Sequence, residues 1–265
     1  MNKIEHQNLH FESISHRYYA ARQNKKHLLY KSLLFDFLLS HLREKFASSK
    51  TLLVLEPMCG YAEGKAIVEN NISQNIYYEG FDYNDTLIAN VRKTHPEINI
   101  FKQDVTTFQT EKKYDIIILI GGLHHVHACA LKIVETLADA LNPDGFFINF
   151  EPTHNNFLVA LVRSIIYKKN DLFDETTEHD FSLQNINNIY TQSGFKIYKQ
   201  YYPGILGYIL FYNPDAFPLL NIGNMRLVRT VFHLEKRLYT SWFGKKLSFA
   251  TFSILKKMDP DSGLS

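Results

Sequence analysis

The sequence predicts an α/β fold with a doubly wound, mostly parallel sheet, and three observations support this prediction. The apolar run 52–55 ends at an acid and turns through Gly60 into a helical segment. Three further apolar runs follow at the spacing of strand and helix repeats, and each ends in polar residues or glycines. Between them lie segments with apolar residues at helical spacing. Continuously apolar strands are typical of a parallel sheet that is covered on both faces.

The first four predicted strands end in residues suited to a ligand. They end at Glu56, at Asp82, at Asp104 and at the glycines and histidines that begin at Gly121. Ligands of open α/β sheets lie beyond the carboxyl ends of the strands, so we expect Glu56 to point at the ligand and all four ends to converge on one rim. Gly60 lets the backbone approach the ligand closely. An acid about 20 residues beyond a glycine turn can hold a ribose diol, and Asp82 lies somewhat later than that. For each acid alone, a helix cap or a solvated loop position is the commoner role.

Composition indicates one catalytic domain with additions. The chain has 265 residues, 45% of them hydrophobic, and its 29 Lys and Arg against 27 Asp and Glu leave a net charge of +2, which disfavours nucleic acid as a partner. The cysteines Cys59 and Cys129 are expected as packed free thiols, as in a reducing cytoplasm. The start MNKIEHQNLHFES lacks the apolar core of a secretory signal, and no apolar run approaches the ~20 residues of a bilayer span. We therefore expect a soluble, cytoplasmic protein.

The segments LEPMCGYAEG, GFDYND, FKQDV and YDIIILIGGLHHV resemble the class I S-adenosylmethionine-dependent methyltransferases, over about residues 50 to 152. The resemblance implies a Rossmann-like sheet of seven strands with an antiparallel last strand. It also implies S-adenosylmethionine (SAM) as cofactor and S-adenosylhomocysteine (SAH) as product. The first turn would contact the methionine part, the second acid the ribose and the third acid the adenine. The cofactor-binding residues implied in this way are Glu56, Met58, Cys59, Gly60, Asp82, Tyr83, Asp104, Val105, Ile120, Gly121 and Tyr19.

The first turn departs from the pattern of that family. The family usually has glycine at the positions of Met58 and Ala62, so Gly60 alone remains of the usual set. A bulkier loop still fits a sulfonium ligand, which has no pyrophosphate to hold. Tyr83 could stack on the adenine or fill a gap beside it.

Six segments follow from the pattern and the resemblance together. They are an N-terminal helical cap (1–48), a SAM-binding core (49–152), a first insertion (153–181), a core helix and strand (182–202), a second insertion or substrate lid (203–244) and a final edge strand with a tail (245–265). The helical segment and the insertions would stand over the rim, where specificity resides in such folds. In the family an N-terminal helix often closes over the cofactor, and the candidates here are His16, Arg17, Tyr18 and Tyr19. Polar surface positions on an amphipathic helix are the alternative.

Within the core, ALKIVETLADAL predicts a helix, residues 142–145 a turn, and GFFINFEP a fifth strand. SLQNINNIYTQSGF predicts a helix capped by Ser182 and ended by Gly194, with the strand FKIYKQYY after it. In the second insertion, MRLVRTVFHLEKRLYTSWF predicts a helical stretch. The alternating run KLSFATFSILKK predicts the last strand, at the edge of the sheet.

The chemistry is expected at GGLHHVH. Methyl transfer from a sulfonium needs an aligned acceptor, exclusion of water and a proton acceptor, and a neutral imidazole suits the last task. We place His125 ahead of His124 as general base, because only one of two adjacent side chains readily faces a pocket. One histidine packed under the turn and the other bonded to a carbonyl is the alternative. A metal site of His124, His125, His127 and His154 is a further option, but it lacks a recognised ligand spacing, so no metal is predicted. Glu151 and His154 are additional candidates for the pocket wall.

Basic residues gather in the second insertion, namely Arg226, Arg229, Lys236, Arg237, Lys245 and Lys246. They suit a phosphate, an anionic membrane surface or a nucleic acid, and a solvated helix face is the simpler interpretation. The aromatic content of this insertion would also suit a homodimer, so a monomer and a dimer both stay open.

We predict a methyltransferase that acts on an oxygen or nitrogen of a small molecule. The alternatives are an RNA or protein methyltransferase and a SAM-binding protein without methyl transfer.

Overall fold

The structure is a computed structural model that describes residues 19–47, 50–155, 181–214 and 218–258. Its strands are β1 (Leu52–Pro57), β2 (Ile76–Asp82), β3 (Asn99–Lys102), β4 (Tyr114–Ile120), β5 (Leu141–His154), β6 (Phe181–Ser182), β7 (Phe195–Tyr201) and β8 (Ala250–Lys257). Its α-helices are α1 (Lys25–Lys45), α2 (Glu63–Asn71), α3 (Asp85–Thr94), α4 (Ala130–Asp139), α5 (Leu183–Gln192), α6 (Met225–Glu235) and α7 (Trp242–Leu247). Shorter helical turns span Leu123–Cys129, Tyr208–Tyr212 and Pro218–Leu220.

A seven-stranded sheet in the order β3-β2-β1-β4-β5-β8-β7 confirms the predicted fold class. Strands β1 to β5 pair in parallel, and the two-residue strand β6 adds a short parallel pairing to β5. Strand β8 is antiparallel to its neighbours, because its end lies beside the start of β7 through the bond from Met258 N to Gly194 O (2.8 Å). The reversal of strand order between β1 and β4 brings the ends of both strands to the centre of the carboxyl rim.

The position predicted for the last strand was wrong. Strand β8 lies between β5 and β7, so β7 is the edge strand, and the middle of β7 is exposed. The alternation in KLSFATFSILKK comes from buried polar side chains rather than from a solvated face. Thr251 Oγ1 lies 2.7 Å from Thr153 Oγ1, and Ser253 Oγ accepts from Gln200 Nε2 at 3.0 Å. Small hydroxyl side chains that are hydrogen-bonded in this way can be buried at little cost.

Two predicted elements have different limits from those expected. The turn at 142–145 lies within β5, where the register jumps: Tyr114 pairs with Leu141 but Ile116 with Phe146. The long helical stretch of the second insertion is two helices, α6 and α7, joined by turns at 236–240. Residues 1–18 and 156–180, which include most of the first insertion, lie outside the described residues.

The chain forms two compact units. Of the described residues, the first unit comprises 19–38, 152–155, 181–183, 201–214 and 218–251, and the second comprises 39–47, 50–151, 184–200 and 252–258. The second unit contains β1 to β4, most of β5 and most of β8. We call it the core unit, and we call the first the helical unit. None of the helices in the described ranges is both long and apolar enough to span a bilayer.

The interior of the helical unit surrounds a buried carboxylate. Glu235 on α6 accepts hydrogen bonds from Tyr30 Oη (2.5 Å) and Tyr239 Oη (2.7 Å) on one oxygen and from Gly207 N (2.8 Å) on the other. Burial raises the pKa of Glu235, and these three hydrogen bonds act in the opposite direction. Phe232 and Phe37 pack against the same tyrosines. The carboxylate therefore joins α1, α6 and the turn at Gly207 within the helical unit.

Candidate active site

Glu56 fixes the loop after β1, residues 58–64, through hydrogen bonds. We call residues 58–64 the first loop. Glu56 is 3% exposed, and both of its carboxylate oxygens lie 3.0 Å from Gly64 N, at the start of α2. Tyr78 Oη donates to Glu56 Oε2 at 2.5 Å. The carboxylate is bonded at the start of α2, because the first N–H groups of a helix attract an anion. Contact of Glu56 with the ligand stays a prediction.

Gly64 is a site residue that sequence reasoning missed. A Cβ atom at this position would lie 2.6 Å from Glu56 Cδ, so no larger residue fits against the carboxylate. The signal was present in the sequence, since a glycine in the first turn of the helix after β1 commonly permits such close packing.

The first loop retains a left-handed backbone where the family has glycines. The φ angles are +51° at Met58, +51° at Gly60 and +57° at Ala62. Side chains larger than hydrogen strain this conformation by about 1–2 kcal/mol per residue. The loop therefore keeps the backbone path that glycines would give, at a cost in stability at Met58 and Ala62.

Asp82 fastens the first loop to the end of β2. Its Oδ2 accepts from Gly60 N at 2.9 Å and its Oδ1 from Asn84 N at 3.0 Å. Burial raises the pKa of Asp82, and these backbone bonds partly offset the shift. A carboxylate has about four acceptor positions, so the same oxygens can accept from the hydroxyls of a ligand. Tyr83 follows directly and is half-buried, with Lys102 Nζ 5.6 Å from its ring centre.

Asp104 lies next to Asp82 along the rim. Gln103 N donates to Asp82 O at 3.0 Å, which places the end of β3 beside the end of β2. Asp104 Oδ1 accepts from Thr106 N (2.8 Å) and from Thr106 Oγ1 (2.7 Å), so the side chain is fixed, and its Oδ2 has no hydrogen bond from the described part of the chain. Val105 is 7% exposed.

The loop after β4, residues 121–125, is organised by Glu151 of the neighbouring strand. We call residues 121–125 the histidine loop. Glu151 is 1% exposed, and its Oε1 accepts from Gly122 N (3.1 Å) and Leu123 N (2.9 Å). Its Oε2 lies 2.9 Å from His124 Nδ1. The sequence predicted Glu151 as part of the pocket wall, but it did not predict that Glu151 anchors this loop.

The two histidines of this loop occupy different environments. His124 is 8% exposed and paired with Glu151, whereas His125 is half-buried. The ring centres lie 4.1 Å apart and the ring planes are tilted by 35°, so the two imidazoles are in contact. A carboxylate on Nδ1 fixes the ring orientation and favours a lone pair on Nε2, which is the arrangement of an oriented general base.

The structure brings the predicted rim positions of the core unit together. A Cβ atom at Gly122 would lie 3.2 Å from Met58 Cβ and Sδ, so the first loop and the histidine loop are in contact. Cys59 is a buried residue of the first loop, where burial and the charge of Glu56 raise the pKa of its thiol. Both Cys59 and Cys129 are free thiols.

Two of the predicted candidates are in the helical unit. Tyr19 and His154 lie in the helical unit, where Tyr19 is exposed and His154 half-buried. His16, Arg17 and Tyr18 lie outside the described residues. No group of three or more His, Cys, Asp or Glu side chains with metal-ligating geometry occurs in the residues that the structure describes.

The core rim fits an adenosyl ligand with hydroxyls and an amino group. Gly60 and Gly121 both have positive φ angles, +51° and +63°, and a Cβ atom at either glycine would meet no atom of the described residues within 4 Å. Among these residues, the backbone at the ends of β1 and β4 is therefore open to a ligand. The carboxylates of Asp82 and Asp104 lie at the ends of β2 and β3 and can accept hydrogen bonds from ribose hydroxyls and an adenine amine.

Comparisons with known proteins agree with this geometry. Residues 54–145 match the model of a family described as "Methyltransferase domain". No curated protein matches the sequence.

Solved structures show the same fold at low sequence identity. A chain from the Haloferax volcanii complex of the Trm112 methyltransferase activator has a TM-score of 0.61 and 13% identity, over 94% of this chain and 96% of that chain. The cyclopropane synthase MmaA2 of Mycobacterium tuberculosis has a TM-score of 0.58 and 14% identity, over 83% of both chains. An S-adenosylmethionine-dependent methyltransferase of Mesorhizobium loti has a TM-score of 0.52 and 15% identity, over 82% of this chain and 96% of that chain.

The matched family and the shared fold confirm the resemblance seen in the sequence, and SAM is the implied methyl donor. Residues 54–145 match a methyltransferase domain, and this match together with the shared fold supports a class I S-adenosylmethionine-dependent methyltransferase.

Proposed function

We propose that this methyltransferase acts on an oxygen or nitrogen of a small-molecule acceptor, with the cofactor held along the rim of the core unit. The observation that carries the proposal is the pairing of His124 with Glu151 at the end of β4, beside the open backbone of Gly121. A proton acceptor next to the methyl donor is what a hydroxyl acceptor requires.

The residues of the rim divide the binding task. Gly60 and Gly121 leave room for close approach of the methionine part of SAM, and Met58 and Ile120 border it. Asp82 would accept from the ribose hydroxyls. Asp104, Val105 and Tyr83 would enclose the adenine. SAM supplies an electrophilic methyl group that needs no further activation, so the protein mainly aligns the acceptor and excludes water.

His124 is the better candidate for the general base, which reverses the order expected from the sequence. Glu151 would accept a hydrogen bond from Nδ1 of His124 and so orient the ring for proton transfer at Nε2. The resulting imidazolium would be stabilised by the adjacent carboxylate. His125, whose ring is tilted against that of His124, would restrict access of water to the pair. An amine acceptor could lose its proton to solvent beforehand, and the same residues would then only orient it.

The small-molecule class rests on the charge of the chain. A net charge of +2 offers little general attraction for a polyanion such as RNA. Transfer of a labelled methyl group from SAM to a metabolite extract, to total RNA and to total protein tests the proposal directly. We expect label in the metabolite fraction, and its absence with the Asp82→Ala variant. Label in RNA or protein instead would show that the acceptor is a macromolecule and not a small molecule. SAH binding without any transfer would indicate a SAM-binding protein with another task.

A further inference from the structure

Exposed apolar side chains are concentrated in residues 219–247 of the helical unit, which we call the exposed apolar segment. It contains ten of the 17 large hydrophobic side chains that are exposed in the described residues. Six of them are more than half exposed, namely Leu219, Ile222, Leu234, Trp242, Phe243 and Leu247. Single exposed apolar residues need no explanation, but a concentration of them marks an interaction site.

The charge of the same segment is almost entirely positive. It carries six basic residues and one acid, Glu235. Glu235 is 5% exposed and is occupied by hydrogen bonds from Tyr30, Tyr239 and Gly207. Every charge that the segment presents to its surroundings is therefore basic.

The exposed apolar residues and the basic residues lie next to each other on the helices. On α6, Leu227 and Leu234 are seven residues apart and therefore lie on the same side of the helix. Arg226 and His233 each precede one of these leucines and lie together on the adjacent side. The buried face of α6 includes Phe232 and lies on the other side of the leucines. An apolar strip thus separates the buried face from a basic face.

Helix α7 repeats this combination in its first turn. The rings of Trp242 and Phe243 contact each other edge to face at 5.1 Å, and they are 65% and 60% exposed. Lys246 Nζ lies 6.0 Å from the centre of the Trp242 ring. Exposed aromatic side chains next to basic residues are typical of segments that lie in the interface of a bilayer.

We propose that the exposed apolar segment docks this protein on an anionic lipid bilayer. Trp242 and Phe243 would enter the boundary between headgroups and acyl chains, and Arg226, Arg229 and Arg237 would contact lipid phosphates. A second copy of the chain is the weaker candidate, because a two-fold interface would set the same basic face against itself. An anionic bilayer complements both the positive charge of the segment, through its headgroups, and the exposed apolar side chains, through its acyl chains. This proposal does not depend on the identity of the methyl acceptor.

Flotation of the full chain with lipid vesicles tests the proposal. The vesicles are phosphatidylcholine alone or with about 30% phosphatidylglycerol, an anionic content that gives a negative surface potential. We expect the chain to float with the anionic vesicles and to be released by high salt. The double variant Trp242→Ser, Phe243→Ser should bind at least about tenfold more weakly, because both rings lose their apolar burial. Each of Arg226→Gln, Arg229→Gln and Arg237→Gln should weaken binding about fivefold.

Matched controls use exposed residues elsewhere in the chain. Leu28→Ser and Ile197→Ser remove exposed apolar side chains, and Lys93→Gln, Lys132→Gln and Lys196→Gln remove exposed charges. These variants should bind vesicles like the parent chain, and thermal melting checks that all variants fold. Flotation that does not depend on anionic lipid, or that is unchanged in the double variant, would overturn the proposal. A dimer in sedimentation that dissociates in the double variant would instead make the segment an interface between copies.

Discussion

The first loop and the histidine loop are each fixed by a buried glutamate, but the two glutamates differ in what they bind. Glu56 comes from the strand that leads into its own loop, and its bonds to Gly64 N and Tyr78 Oη join groups that keep their protons near neutral pH. Glu151 comes from the neighbouring strand and is bonded to two backbone N–H groups and an imidazole. Under our proposal, the first loop would shape the cofactor site, whereas the histidine loop would also move a proton.

The largest effects on turnover and affinity are expected when each of these two carboxylates is replaced by an amide. Glu151→Gln should lower turnover about 100- to 1,000-fold, the usual contribution of an oriented base, and leave SAH affinity within about twofold. Glu56→Gln should instead weaken SAH binding and lower the thermal midpoint, with turnover at saturating SAM largely kept. Steady-state kinetics with the labelled methyl assay, together with calorimetry, separates the two patterns. If both variants lost turnover and affinity in parallel, the division between the loops would fail.

Removal of the Asp82 side chain should produce the next largest effect. Asp82→Ala loses hydrogen bonds from a carboxylate to the ribose as well as the anchor of Gly60 N, so SAH affinity should fall about 100-fold by calorimetry. Asp139→Ala is the matched control, because Asp139 is an exposed acid at the end of α4. Unchanged affinity in Asp82→Ala would move the ribose to another residue.

The pH dependence of SAH binding sharpens the assignment of Asp82. Burial raises the pKa of this carboxyl, so it takes up a proton at a higher pH than an ordinary aspartate. Ribose hydroxyls donate to the ionised form, and affinity should therefore decrease as the pH falls through that raised pKa. The Asp82→Asn variant should bind more weakly and should lack this acidic decrease. A decrease of equal size in parent and variant would assign the titration to another group or to the ligand.

Alanine at two glycines of the first loop should give unequal losses of stability. Gly64→Ala places a methyl group against the Glu56 carboxylate and should lower the free energy of unfolding by about 2–3 kcal/mol. Gly60→Ala has open space around it and bears only the strain of its positive φ, about 1 kcal/mol. Chemical denaturation measures both. Equal losses would mean that Glu56 does not pack against Gly64.

The smallest effect is expected at Ala62. Ala62→Gly relieves the left-handed strain at φ +57°, but it loses a buried methyl group and adds flexibility to the unfolded chain. The net change should be a gain of less than about 1 kcal/mol in the free energy of unfolding. A loss larger than about 1 kcal/mol would show that packing of the methyl group outweighs the strain.

Local patterns predicted the core strands and the rim well, because the relevant residues lie next to one another in the chain. The acids and glycines that end β1 to β4 follow directly from apolar runs, and the strand order then places them at one edge. The contact of Glu56 with Gly64 spans only eight residues, and a closer examination of the helix start could have found it.

Long-range pairing could not be predicted in the same way. The bond from His124 to Glu151 joins a residue of the loop after β4 to one on β5, 27 positions away, and neither local pattern contains a sign of the other. Strand β8 was placed at the edge because buried, hydrogen-bonded Thr251 and Ser253 produce the same alternation as a solvated face. Polar residues that find partners across a sheet are indistinguishable in sequence from polar residues in water.

Isothermal titration calorimetry with SAH on the purified parent chain and on Asp82→Ala tests the central claim most directly, namely that the rim of the core unit holds the adenosyl ligand through the carboxylates of β2 and β3. We predict saturable binding of one SAH per chain, weakened about 100-fold in the variant. No binding of SAH or SAM to the folded parent chain would contradict the account.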